Sequence, residues 1–427
     1  MEGARAAVLE WCLIAVGVLA AAVGVRSVIV GDTVTSRLAT VWSLTHEHTW
    51  YIDRPAEQPP NPFEPRTVDK VAVNDRLVSS KPPLLTVLMT AEYVALQSLF
   101  GWDLDTASGL KRQLQCMILS LVVFAYAGTL FFFRKTLRLF DVPAPARLFL
   151  LAALAFGTQL FGYAPQLNNH VPGVCMAMAA VYLGLGLGSG RLAPRPWRFA
   201  LFGLSAGLVY TIDLPVTVFP AFAGVYLLWR FPRIALLWGA AGAALPLGIH
   251  FGILTWITGS PLPVQTKGGM YLYEASPWRN PLGIDGLNEP KLTYLFHITF
   301  GRHGAFVLFP VLLAGIAGTI RALARRDTAC RGYILGGALA VLLLTAYYTL
   351  HTNNYGGEAY GFRWYIGSMP MLLLMGAPVI GRIHTRWKWA FLLVLLVISV
   401  YSAVECARFP WTANQEWTCR YFLGPSC

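Results

Sequence analysis

Apolar positions in this chain neither alternate nor recur on a single face; they run on unbroken. Ala7–Val30, Gln113–Phe133, Leu148–Gly162, Ile234–Ile257 and Trp389–Val404 are continuous apolar runs close to the length that carries a helix across ~30 Å of hydrocarbon. In lipid each backbone polar group has to be satisfied within its own segment, so these runs predict helices and not open strands. The expected fold is all-α, a polytopic transmembrane bundle of roughly 10–12 helices with a long first loop that contains juxtamembrane helices. The first run is too long for a secretory h-region and no small-residue cleavage site clearly follows it, which predicts a retained first span.

Of 427 residues, 56% are hydrophobic and 13% charged, more apolar surface than a soluble chain can hide. The net charge of +12 points away from nucleic acid, because the basic residues lie in short loops between apolar runs. Arg134–Arg147, Arg191–Arg198, Trp229–Arg233, Arg321–Arg331 and Arg382–Lys388 are assigned to the cytoplasm by the positive-inside rule. Tyr163–His170, Gly259–His303, His351–Arg363 and the tail after Cys406 then face the other side. Phe199–Arg230 has to be two helices turning near Asp213. Pro82–Gly101 has both flanks external by the same count, so it is expected to lie in the interface or to dip in and return. The organisation expected is a catalytic membrane module over 1–230, further helices over 231–406 with external loops 259–303 and 351–364, and an external tail over 407–427.

The first external loop, Gly31–Lys81, is about fifty residues long, far beyond an ordinary connector. It opens on Gly31-Asp32-Thr33, and Leu38, Val41 and Trp42 then share one helical face within Ser36–Leu44. A Pro-rich stretch, Pro55–Pro65, follows; the loop passes Asp69 and closes on Lys81-Pro82-Pro83-Leu84. An acidic residue after the first helix, an Arg-containing amphipathic helix and Lys-Pro-Pro-Leu at the loop's end together resemble the GT-C glycosyltransferases, in particular the branch of aminoarabinose transferase and protein O-mannosyltransferase. The likeness covers roughly Ala7–Leu187 in organisation, and later the Gly-Gly…Gly-Phe-Arg-Trp stretch ending at Trp364.

The resemblance implies an enzyme of the external (periplasmic) face. It would move a sugar, with inversion, from a polyprenyl-phosphate-linked donor to a lipid, glycan or small acceptor. Such a transfer needs a carboxylate for the acceptor proton, cations for the leaving phosphate and a lateral opening for the lipid. Asp32 is the expected base with Asp69 in reserve, and Lys81, Arg363 and Tyr355 are expected at the donor phosphate. Arg37, Asn169, His170, Asp213 and Glu358 are candidates for substrate contact. A divalent metal ion would call on Glu274, His297 and His303. A transporter or flippase is the alternative, disfavoured because no charges recur at mid-helix and no repeat halves are visible. The absence of any Asn-x-Ser/Thr sequon points to a bacterial inner membrane.

Seven cysteines are present, of which Cys12, Cys116 and Cys175 lie within apolar runs and Cys330 in a basic loop. No Cys/His spacing suits structural zinc. Cys419 and Cys427 in the external tail are the expected disulfide pair, with Cys406 the competing partner.

Overall fold

The computed structural model describes residues 2–274, 276–279, 289–328, 330–352, 354–412 and 416–423. Among the described residues the architecture is all-α apart from one two-stranded hairpin. Among the described residues, eight helices are long and apolar enough to cross a membrane, and Leu214–Arg230 and Pro310–Ala324 are shorter apolar helices. The chain is an integral membrane protein.

Charge pairing gathers the basic loops at one end of the bundle. Glu10 on α1 (Glu2–Val23) is buried and accepts from Arg134 Nε at 2.7 Å, Arg138 Nη2 at 2.8 Å and Arg147 Nε at 2.7 Å. Arg191 pairs with Asp141 and joins the second basic loop to the first, while Arg382 Nη2 lies 3.9 Å from Asp327 Oδ2 between the fifth and fourth. Near the third loop, Tyr226 Oη donates to the Gly188 carbonyl at 3.4 Å. The predicted turn at Asp213 is present, between Pro196–Ile212 and Leu214–Thr217.

The opposite end carries the long first loop, folded into a cap. Its helix α2 (Asp32–His46) is buried from Thr33 through Ser43, on its polar side as well as on the face of Leu38, Val41 and Trp42, where an amphipathic helix would leave one side exposed. The hairpin β1 (Lys70–Val73) and β2 (Arg76–Ser79) pairs in antiparallel register Lys70↔Ser79 to Val73↔Arg76. Its two-residue turn places Asn74 at φ 51 and Asp75 at φ 58, the left-handed region that Asn and Asp tolerate and that suits the twist of a hairpin. Ser36 Oγ donates to the Asp69 carbonyl at 2.6 Å, and Asn61 Nδ2 donates to the Ala39 carbonyl and Ser43 Oγ, each at 2.9 Å. These bonds tie the strand and the Pro-rich stretch to α2.

Helix α3 (Pro83–Phe100) is long enough to span, yet it runs beside α2 in the same direction. Arg37 Nη1 donates to Thr86 Oγ1 at 3.2 Å near the start of α3, and the His46 and Tyr93 rings lie 6.4 Å apart further along. Trp42 Nε1 donates to Asp105 Oδ1 at 2.8 Å just past its end. Both ends of α3 therefore meet one short helix of the cap.

The last helix, Arg386–Arg408, is followed by a tail that returns across this end. Pro410 O accepts from Tyr163 Oη at 2.6 Å and from Tyr360 N at 3.1 Å. Glu416 is fully buried, with His303 Nδ1 at 2.7 Å and Gly361 N at 2.6 Å from its Oε1. Cys419 is disulfide-bonded, Cys12, Cys116, Cys175, Cys330 and Cys406 are free, and the predicted partner Cys427 lies outside the described residues, as does Asn353.

Candidate active site

A cavity of about 1280 Å³ opens at the cap end, walled by α2, the hairpin, the start of α3, the Asp213 turn and the Asn354–Trp364 loop. Nine of the residues singled out from sequence line it: Asp32, Asp69, Lys81, Asn169, His170, Asp213, Tyr355, Glu358 and Arg363. Residues from four separate segments thus share one space.

Lys81 and Asp69 form its central ion pair, Nζ to Oδ2 at 2.8 Å. Thr33 Oγ1 donates to the same Asp69 oxygen at 2.9 Å. Burial alone would raise the Asp69 carboxyl, but Lys81, Arg363 and Thr33 outweigh it and hold it below the ordinary carboxylate value. Burial pushes the Lys81 ammonium down; Asp69 opposes this, and Arg363 and Arg37 add to it. Asp69 is therefore committed to a counter-charge role. Asp32 is exposed at the cavity wall, with Oδ1 accepting from Val68 N at 3.1 Å.

Arg37 does not line the cavity; its guanidinium is buried behind it. Nη1 donates to the Pro82 carbonyl at 3.0 Å, as well as to Thr86, and so braces the turn that presents Lys81. Burial pushes its pKa down to about 10 against the pull of Asp69 and Asp213, and it stays charged at neutral pH.

On the facing wall, His170 opens the helix His170–Gly188 with Nδ1 at 2.8 Å from Asp213 Oδ2. Asn168 Oδ1 accepts from Val171 N at 2.9 Å in the first turn of this helix, while the N-cap residue Asn169 makes no side-chain cap bond. Asn169 is left on the cavity wall. Tyr355 is partly committed: its hydroxyl donates to Glu289 and its ring stacks on Tyr294 with centroids 4.9 Å apart. Gly356 and Gly357 have φ of 95° and 78°, and a Cβ at Gly356 would come within 3.0 Å of Arg363 Cγ. Glycine here lets the backbone pass against the arginine.

The metal candidates do not assemble in this space. His303 is bonded to Glu416, His297 packs edge-on against the Tyr355 ring at 6.0 Å, and Glu274 is exposed. Among the described residues, the group with ligating atoms mutually within 4.8 Å is His46, Asp103 and Asp105, at the far end of α3. Among the described residues, those lining the cavity do not form a metal-ligand set.

Sequence reasoning missed two parts of the site. The tail residue Trp411 lines the cavity and its ring lies 4.7 Å from Arg363 Cζ; nothing in its spacing announces that the tail returns. The loop after Thr258 contributes Tyr271 and Trp278, and Val264, Met270 and Tyr271 pack on the hairpin's valines.

Neither a family model nor a curated protein sequence matches the chain. Solved structures similar to it include those of the Archaeoglobus fulgidus oligosaccharyltransferase. The apo form is 13% identical with TM-score 0.48, covering 95% of this chain and 56% of that one. The complex of that archaeal enzyme, AglB, with an inhibitory peptide and a dolichol-phosphate is 14% identical with TM-score 0.49, covering 93% and 55%. A complex with Zn and sulfate is 14% identical with TM-score 0.49, covering 92% and 53%. The chain spans just over half the length of these proteins.

Proposed function

We propose that this chain is a membrane glycosyltransferase of the GT-C type that moves a sugar from a polyprenyl-phosphate-linked donor to an acceptor, with inversion, at the cap end of the bundle. The observation that carries this reading is the meeting in one cavity of Asp32 and the Lys81–Asp69 pair, from the folded first loop, with Arg363 from a loop far later in the chain. The sequence resemblance to the aminoarabinose and protein O-mannosyl transferase branch supports it. In this reading the cap end, opposite the basic loops, faces outward by the positive-inside rule, and the lack of any Asn-x-Ser/Thr sequon supports the periplasmic side of a bacterial inner membrane.

In this reading Asp32 takes the acceptor proton as the acceptor oxygen bonds to the anomeric carbon. The bond from that carbon to the phosphate oxygen breaks, and its electron pair leaves with the lipid phosphate. Lys81 and Arg363 hold the charge that develops there. Asp69 keeps Lys81 charged and fixed, which leaves Asp32 and not Asp69 as the base. Asn169, His170, Asp213 and Glu358 meet the sugar and the acceptor. Ile29, Val30, Leu254 and Ile257 line the same cavity and give the isoprenoid chain an apolar path. The acceptor is a lipid, glycan or small molecule.

The test is purified protein incubated with a panel of labelled polyprenyl-phosphate sugars. Transfer by wild type and its loss in Asp32→Asn and Lys81→Ala, with both variants still folded, is the expected result. Full activity in both variants sinks the reading.

A further inference from the structure

Trp411 stands where the tail crosses the cap, between two parts of the site. A Cβ on Gly31, which has φ 88°, would come within 3.2 Å of the indole's Cδ2 and Cε2. Only glycine both adopts that backbone angle readily and leaves room for the ring, and Gly31 directly precedes Asp32. Arg363 Cζ lies 4.7 Å from the ring centroid, a cation–π contact, and Tyr163 packs edge-on at 5.4 Å. One indole therefore touches the turn that carries Asp32 and the side chain of Arg363.

Two N–H groups at this contact have no acceptor. Trp411 Nε1 and Arg363 Nε are both buried and, among the described residues, without a hydrogen-bond partner. Each is a donor only, and a buried donor without an acceptor costs free energy. Arg363 is close enough to Lys81 and Asp69 to influence both, and Asp69 already serves Lys81 and Thr33. Two orphaned donors on residues that line the same cavity as the Lys81 ammonium suit an anion.

We propose that Trp411 Nε1 and Arg363 Nε together donate to the phosphate of the lipid carrier, so that the tail supplies part of the donor site. This rests on the transferase reading above and adds a binding residue to it. Trp411 also holds the Gly31-Asp32 turn against Arg363, which sets the distance between base and phosphate.

The experiment measures binding by the full chain in phosphatidylcholine nanodiscs, with three probes: farnesyl phosphate, inorganic phosphate and farnesol. Trp411→Phe keeps the ring and removes the N–H. It should weaken farnesyl phosphate about tenfold, the scale of one hydrogen bond to an ion, and leave farnesol and the melting temperature unchanged. Gly31→Ala, which pushes on the ring, should weaken farnesyl phosphate as well. Equal farnesyl phosphate binding by wild type and Trp411→Phe overturns the role of Trp411 and leaves the transferase reading intact, since Lys81 and Arg363 still hold the phosphate. Absence of farnesyl phosphate binding by wild type overturns both. Inorganic phosphate binding as tightly as farnesyl phosphate, with the same loss in Trp411→Phe, overturns the lipid assignment.

Discussion

His170 Nδ1 and Asp213 Oδ2 meet at 2.8 Å across the cavity wall, 43 residues apart in sequence. The pair locks the start of one helix to the turn between two others, and it fixes which ring nitrogen is left for the cavity. Asp213→Asn keeps the shape and weakens the orienting bond. Transfer by this variant should lose about tenfold in kcat/KM, mainly through the acceptor's KM, with donor KM unchanged. Steady-state kinetics with acceptor and donor varied separately decide it, and an unchanged acceptor KM removes the pair from the acceptor side.

The Lys81–Asp69 pair gives stability a definite pH dependence. Asp69 sits below its ordinary value of 3.8, so its contribution is whole above about pH 4 and drains away as pH falls toward the folded value. Lys81 is lowered from 10.5; the unfolded chain binds that proton more readily, so stability rises as pH climbs toward 10.5. Thermal unfolding across pH should show both slopes, and Asp69→Asn should flatten the acid one. An acid slope that survives Asp69→Asn would assign it to other carboxylates.

Removing Lys81 alone leaves a carboxylate without its partner in a low-dielectric wall. Lys81→Met should cost about 2 kcal/mol, and the double variant with Asp69→Asn should cost about 1 kcal/mol less than the two changes summed. Donor binding should fall further in Lys81→Ala than in Lys81→Arg, which keeps the charge. Strict additivity in the unfolding cycle would mean the pair is not coupled.

Helix α3 should stay on one side of the membrane. Its neighbours along α2, from Thr86 to Asp105, keep both of its ends in the cap. Cysteines placed at Asp103 and at Pro59 should react with an impermeant thiol reagent from the same face, and one at Arg195 from the other. Labelling of Asp103→Cys and Pro59→Cys from opposite faces would make α3 an ordinary span.

Glu416 fastens the tail. Burial pushes its carboxyl up, opposed by His303, the Gly361 N–H and Arg302. Glu416→Ala strips His303 Nδ1 and Gly361 N of their acceptor and should cost about 2–3 kcal/mol. Donor affinity should drop with it, because the same tail carries Trp411. Unchanged donor affinity would show that Trp411 keeps its place without Glu416.

The spans, the basic loops and the polar stretches between them were legible because lipid forbids unpaired backbone and unpaired charge, so the residues that break an apolar run stand out. Asp32, Lys81, His170, Asp213 and Arg363 are such residues, and the cavity collects them. The hairpin is also written in the sequence: Lys70-Val-Ala-Val and Arg76-Leu-Val-Ser flank Asn74-Asp75, an alternating pattern around a two-residue turn. Arg37 was assigned to substrate from its helix and stands behind the wall instead, because a helix face read from sequence does not say which neighbour covers it. Trp411 and Glu416 could not be read, since their partners Arg363, Gly31, His303 and Gly361 come from distant loops that only the assembled bundle brings to them.

Glu10 gives the order in which the bundle comes together. Its three arginine partners all lie in the first basic loop and its flanks, more than a hundred residues later in the chain. A carboxylate within an apolar helix is costly to carry into the membrane without a partner, so α1 is under-stabilised while it is the newest segment made. It becomes a settled membrane helix only once Arg134, Arg138 and Arg147 have been synthesised. The first three crossing segments are thus a single unit of biogenesis, and the cap made from the long loop between them closes only after that unit has formed.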